Sequence, residues 1–418
     1  MVFRALVATL FSLSFAGSAG GGSDLPPWRE PNDLPIPDGA RTVLIQHPEQ
    51  AILTHPSGSS ARRGTAVAGA ELPLFGARRG PGCAARWVNV GPMAWICQDA
   101  ITLGAGDPAS VSPRRTPASD GLPFRYFYVG AEVANGYSRL EDAEDVAPDQ
   151  ELQAGFAVAI VEEGVKDGTR FGKTRHGLWI PMRDLRPVAS IAFHGEDVVD
   201  GNLDFGWIVV DKAMVTKSPS AAKRVGTKAK FDKIAIFEKK PDKKPTYYRI
   251  GDDQWVRIRD VQRPTRADPP ASVRAGERWI DVDLASQTLV AYEGDRPVFA
   301  TLVSTGKGKE GTELATPKGE SRIWVKLESS NMDNLEDEEA ERYYAIEDVP
   351  YVQFFAKGVG LHGAFWHRGF GRVRSHGCVN LAPLDAQRLF AFTSPHLPAG
   401  WAAVLPTDLE EGTIVRVR

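Results

Sequence analysis

From Arg278 the chain reads RWIDVDLASQTLVAYEGDRPVFATLVSTG, an alternation of apolar and polar residues interrupted at Gly294-Asp295. A period near two fits strands and does not fit helices, because successive side chains of a strand point to opposite faces. Trp279, Val282 and Leu284 are followed by Leu289, Ala291 and Tyr292, then by Val298, Ala300 and Leu302, so a hairpin turning at Gly294-Asp295 and re-entering a strand is expected. RIWVKL (322–327), YVQFFA (351–356) and VGLHG (359–363) continue the strand pattern, and WAAVLP and GTIVRVR are expected to close the sheet. Only PLDAQRLFAFT (383–393) carries helical spacing, at Leu384, Leu389 and Phe392, with Pro383 opening it. With 30 Pro and 41 Gly punctuating the chain, the fold class is mainly β.

At 418 residues the chain exceeds one ordinary core, and two to four domains are expected. Arg4, the apolar stretch Ala5 to Ala16 and small residues through Ala19 have the pattern of a secretory signal over 1–19, too short for a comfortable membrane span. Residues 20–37 read as a flexible Pro-rich leader. Three blocks follow, at 38–112, 120–190 and 200–265, with related tails: MAWICQDAI (93–101), GLWIPMRDLRP (177–187) and QWVRIRDVQRP (254–264). Strand, turn, Trp-strand and Asp turn suit a small barrel with the Trp closing its core, and the blocks loosely resemble bacterial SH3-like modules. RRTPASDGLP (114–123) and RPTRADPPASVRAG (263–276) read as linkers, the second marking the main boundary before a domain over 275–418.

The formal net charge of −3 gives no reason to invoke nucleic acid or an anionic membrane. Cys83 and Cys97 lie close in sequence, and an oxidising compartment would close a short disulfide loop between them. Cys378 has no local partner. No cysteines have the spacing of a closed zinc site, so neither metal nor cofactor is expected.

The chemistry concentrates in GVGLHGAFWHRGFGRVRSHGCVNLAPLDAQRLF. A thiol becomes a strong nucleophile when its pKa falls, and His376, His362 and a helix beginning five residues downstream are the means available to Cys378. In a strand, His376 and Cys378 would share a side, but a residue two away is often badly angled for proton transfer. His362, from a neighbouring strand, is therefore the favoured general base, its ring oriented by a backbone carbonyl near Gly363. His376 would brace the pocket or the oxyanion, and Gly377 would allow a tight turn presenting amides to negative charge. His367 packs with Trp366 or meets substrate. Arg368, Arg372 and Arg374 are either solvent-facing or offer positive charge to carboxylates.

Ser375-His376-Gly377-Cys378-Val379-Asn380 with Leu361-His362-Gly363 upstream, and STG (304–306) and TPKG (316–319) before them, resembles the L,D-transpeptidase catalytic domain of bacterial cell-wall enzymes over about 275–417. The resemblance implies a β-sandwich-like domain, with Cys378 as nucleophile, His362 as proton carrier, Gly363 orienting it, and His376 and Gly377 around the oxyanion. Ser375 and Asn380 hold the turn, Trp366, His367, Arg372 and Arg374 contact substrate, and 328–345 forms a substrate-covering flap. It implies acyl transfer on stem tetrapeptides with loss of D-Ala, giving a 3→3 cross-link, with cell-wall-attached proteins as other acceptors, and acylation of the cysteine by carbapenems. An exported protein of a bacterial periplasm or envelope is expected, without a membrane span once the signal is removed. An L,D-carboxypeptidase using the same acyl-enzyme, or a non-catalytic wall-binding scaffold, are the alternatives.

Overall fold

The structure, a computed structural model, describes residues 34–107, 119–335 and 343–418. The expected signal, most of the leader, part of the 114–123 linker and the acidic tip of the flap lie outside these residues. The described chain is mainly β, with one α-helix, Pro383–Phe392, among the described residues.

Strands Arg278–Asp283, Thr288–Glu293 and Arg296–Leu302 form an antiparallel meander whose first turn is made at Gln287 and whose second is made at Gly294, both with positive φ. Ile414–Val417 joins Arg278–Asp283 in parallel, and Gly319–Arg322 adds outside it. Ile280, Val282, Leu289 and Ala291 face a second sheet, meeting Tyr351, Phe355, Leu361, Val379 and Leu381, with Ala386 and Leu389 of the helix completing this core. Each such aliphatic side chain contributes about 1.5–3 kcal/mol by leaving water. The opposite face of the meander is buried as well: Trp279 and Tyr292, stacked with centroids 4.3 Å apart, lie under Phe193, Phe205 and Trp207 from the preceding block. Asp281 on this face receives Arg416 and Arg418, so even its charge is enclosed.

Two details of the strand reading change. RIWVKL is not one strand, because the chain crosses at Ile323-Trp324 from Gly319–Arg322 in one sheet to Val325–Asp333 in the other. The last two strands do not close one sheet: Trp401–Val404 pairs with Val325–Asp333, whereas Ile414–Val417 lies in the meander sheet.

The three tails share one local structure. Strands Ala94–Cys97, Trp179–Pro181 and Gln254–Arg257 each enter a single 3-10 turn, at Gln98–Ala100, Met182–Asp184 and Ile258–Asp260, closed by the next N–H on the first carbonyl of the turn. Their Trp side chains, Trp95, Trp179 and Trp255, are buried. Cys83 and Cys97 are joined by a disulfide beside the first turn. Closed barrels, however, do not appear among the described residues: the first two blocks spend strand edges on pairing with the C-terminal domain, and the strands of the third are divided between a three-stranded and a five-stranded sheet. Arg62–Ala66 pairs with Trp401–Val404, where a Cβ on Gly64 would lie 2.4 Å from the Ala403 carbonyl oxygen; only glycine permits that approach. Ala157–Lys166 meets Ala345–Ala356 in parallel, and Arg175 of the same block pairs with the buried Asp348 at 3.0 Å.

The segment 263–276 has no regular structure yet is tied down: Ala267 N–H donates to the Tyr292 hydroxyl at 3.0 Å, and Ser272 to Glu320 at 2.7 Å. The stretch before the third block is held likewise. Glu196–Asp197 pairs with Arg296–Leu302, and Gly195 N–H donates at 2.8 Å to the wholly buried carboxyl of Asp385 on the helix, which Thr301 also reaches. Burial pushes this carboxyl up to about 6, against the pull of the Thr301 and Gly195 hydrogen bonds. A raised carboxyl contributes stability that is complete below its unfolded value near 4 and is lost as pH climbs through 6, about 3 kcal/mol by pH 8. Asp385→Asn keeps an acceptor for Gly195 and cannot ionise. Its melting temperature relative to the parent should therefore rise by about 2 degrees from pH 5 to pH 8, and a gap independent of pH would mean that the carboxyl titrates normally.

Candidate active site

Val359–Gly363 and Val379–Leu381 run in parallel with Leu361 opposite Val379 and His362 opposite Asn380. That register puts His362 and Asn380 on one face, with Cys378 in the bend immediately ahead of the second strand. The Gly360 N–H reaches the sulfur. Cys378 is half-buried and the free cysteine among the described residues.

His362 is buried, its ring stacked on Trp366 with centroids 5.7 Å apart. Its Nδ1 lies 3.1 Å from the Gly363 carbonyl oxygen. Because a carbonyl only accepts, Nδ1 carries the proton and Nε2 is left with the lone pair of a base. Burial lowers the His362 pKa to about 4, with the Gly363 carbonyl opposing, so the imidazole is neutral at physiological pH. Burial also pushes the Cys378 thiol up, against the Gly360 N–H. The pKa of the resting thiol is thus raised rather than lowered as the sequence led us to expect: desolvation outweighs the charge-stabilising groups, and the resting pair is neutral thiol and neutral imidazole.

The turn before Cys378 is built from its neighbours. Gly377 has φ +129, so the chain from His376 to Cys378 is not strand-like, and the same-side geometry that extended backbone would impose is absent. His376 turns out to the surface, stacks on Tyr344 with centroids 5.5 Å apart, and accepts from Lys307 Nζ at 3.2 Å. Partial burial and the Lys307 ammonium both lower its pKa. The Gly377 N–H is consumed by Ser375 Oγ at 3.1 Å, its carbonyl accepts from Thr316 Oγ1 at 2.6 Å, and Ser375 Oγ in turn donates to the Cys378 carbonyl. STG and TPKG, distant in sequence, are the frame of this turn: Ser304 exchanges two backbone bonds with Asn380, Gly306 bridges Ser375, and Gly306 N–H donates to Thr316 at 2.9 Å.

His367 is buried beneath the face. Its Nδ1 accepts from Gly369 N–H at 3.1 Å, and burial, Arg374 and His362 hold its pKa near about 3. A neutral ring accepting at Nδ1 carries its proton at Nε2, so the Asn380 amide 2.9 Å away must offer its oxygen there, and the amide is correctly placed with Oδ1 toward His367. That orientation also removes an otherwise orphaned buried Asn380 oxygen. Arg368 and Arg372 donate to the carbonyls of Ser190 and Val209, gripping the preceding block, while Arg374 lies along Gly369 beside His367. Of the expected substrate contacts, Arg372 is thereby engaged in packing.

Sequence reasoning missed Tyr344, whose phenol is raised by burial and by the nearby Cys378, and Lys307 beside His376. Tyr344 lies inside the expected substrate-covering flap at 328–345, which follows from the resemblance without giving this ring a role. The expected flap at 328–345 is, in its described residues, the ends of the hairpin strands Val325–Asp333 and Ala345–Ala356, with Tyr344 facing the site.

Residues 277–417 match the family described as YkuD, L,D-transpeptidase catalytic domain. No curated protein matches the chain. Among solved structures the chain is similar to the catalytic domain of an E. faecium L,D-transpeptidase at 25% identity, over 34% of this chain and 98% of that one, with a TM-score of 0.26. It is similar to an L,D-transpeptidase from Stackebrandtia nassauensis at 28% identity, over 35% and 58% of the two chains, with a TM-score of 0.23. A third, from Xylanimonas cellulosilytica, is 21% identical over 37% and 65%, with a TM-score of 0.24.

Proposed function

We propose, from the L,D-transpeptidase catalytic domain matched over residues 277–417, that this protein is a peptidoglycan L,D-transpeptidase acting through a Cys378 acyl-enzyme. The observation that supports this reading is Cys378 directly ahead of the strand that pairs with the His362 strand, its sulfur met by the Gly360 N–H, with His362 Nδ1 held on the Gly363 carbonyl so that Nε2 is the free base.

Sγ attacks the carbonyl of the third residue of a stem tetrapeptide while His362 Nε2 takes the thiol proton. Because the resting pair is neutral, the proton moves as the carbon–sulfur bond forms, and no standing thiolate is required. With the Gly377 N–H occupied by Ser375, the developing oxyanion is assigned to the backbone N–H groups on either side of it, those of His376 and Cys378. Collapse breaks the peptide bond, and the departing D-Ala amine takes the proton from His362. The side-chain amine of a second stem then attacks the thioester, gives up a proton to His362, and the sulfur leaves as the thiol to complete a 3→3 cross-link. Trp366 walls the imidazole, and Tyr344 with His376 form the rim through which a peptide would pass. Action outside the cytoplasm accords with a disulfide at Cys83–Cys97.

Incubation of the full chain with disaccharide-tetrapeptide, read by mass, tests this. Dimers lacking one D-Ala are expected. Tripeptide alone would make the protein an L,D-carboxypeptidase, and unchanged substrate would remove the enzymatic reading.

A further inference from the structure

A cavity of about 430 Å³ lies between the third block and the loop joining His362 to Cys378. Its wall is assembled from three parts of the sequence: Ile191 and Phe193, then Asp211, Lys230 and Phe231, and finally Arg368 from the loop itself. Ligand cavities have this size and this mixture of apolar wall and few polar groups. Three features set it apart from a packing gap. Phe231 is held at φ +71, a region that bulky residues avoid, and its ring packs at a tilt against Phe193 with centroids 4.6 Å apart as part of the wall. Lys230 and Arg368 make no ion pair among the described residues: Lys230 lies over the Phe231 ring and Arg368 donates to the Ser190 carbonyl. Asp211 likewise has no cationic partner, although it shares the cavity with both cations. Two cations and one carboxylate without ion-pair partners among the described residues, around an aromatic wall, are complementary to an α-amino acid end: carboxylate toward Lys230 and Arg368, ammonium toward Asp211, carbon chain against Phe193 and Phe231.

We infer that this cavity is a second recognition site, distinct from the Cys378 cleft, for a free α-amino acid zwitterion such as the unlinked end of a wall diamino acid. As a wall-peptide site it rests on the transpeptidase reading; as a zwitterion site it rests on its own lining. It also gives the third block a purpose beyond covering Trp279, since the block supplies the anion and one of the cations.

The test is calorimetric titration of the full chain, carrying Cys378→Ala so that nothing turns over, with meso-diaminopimelate. One-site binding is expected, weakened tenfold or more by Asp211→Asn and by Lys230→Gln, with near-UV circular dichroism confirming that each variant is folded. Pimelate, the same diacid without ammonium groups, should bind at least tenfold more weakly, a comparison that needs no variant in the cavity. Absence of binding, equal binding of pimelate, or binding that both variants retain overturns the proposal. Tetrapeptide turnover by the parent protein is measured alongside. Variant-sensitive binding without turnover upholds the cavity site and removes the transpeptidase reading, whereas turnover with variant-insensitive binding does the reverse.

Discussion

Cys378→Ala is expected to abolish both dimer formation and tripeptide release from disaccharide-tetrapeptide, a loss of roughly 10⁴-fold or more, because the atom proposed to form the acyl bond is gone. Both products fail together since they share one thioester and differ only in what resolves it. Folding should be untouched: the side chain is half-buried, and the turn is held by Ser375, Thr316 and Gly377 rather than by the sulfur. In the parent protein a short incubation should add to the intact mass the tetrapeptide less D-Ala, and the variant should add nothing. Turnover retained by the alanine variant would move the nucleophile elsewhere and end the assignment.

For His362→Gln the expected loss is about 10²–10⁴-fold, the range of a positioned general acid–base. Glutamine preserves much of the volume over Trp366 and can still donate to the Gly363 carbonyl, so the change tests proton transfer rather than packing. The pH profile separates these. Burial sets the imidazole at about 4, and the neutral form is the active one, so parent kcat/KM should be level from about pH 6 upward and fall only as pH drops through 4. The glutamine variant should lose that acid limb together with its rate, and the remaining activity should climb with pH as free thiolate replaces the missing base. A variant that keeps the acid limb would assign the titration to another group. His376 is not that group in the geometry seen here, because its ring is turned to Tyr344 and Lys307.

Much of the site was legible in sequence because its chemistry is local. Cys378, His376 and Gly377 are adjacent, and the His362-Gly363 pair supplies both ring and carbonyl within two residues. The tails of the three blocks were legible as a repeat for the same reason: a strand followed by a single 3-10 turn is encoded within about ten residues. Closed barrels did not follow from those tails, since closure depends on which partner takes the strand edge, and Trp401–Val404 took that of Arg62–Ala66 from more than 300 residues away.

By itself the sequence determined that the C-terminal third would be β with a short helix, and it singled out the candidates for nucleophile and base, because alternation, turn residues and motif spacing act over a few positions. Only the tertiary structure decided that both faces of the meander are buried, that the thiol is raised rather than lowered, that His376 points away, and that Asp211, Lys230 and Arg368 surround one cavity. Burial and long-range charge depend on atoms brought together from distant parts of the chain, and desolvation in particular has no local signature: the same Cys and His would titrate near their ordinary values if the second sheet and the preceding block did not close over them.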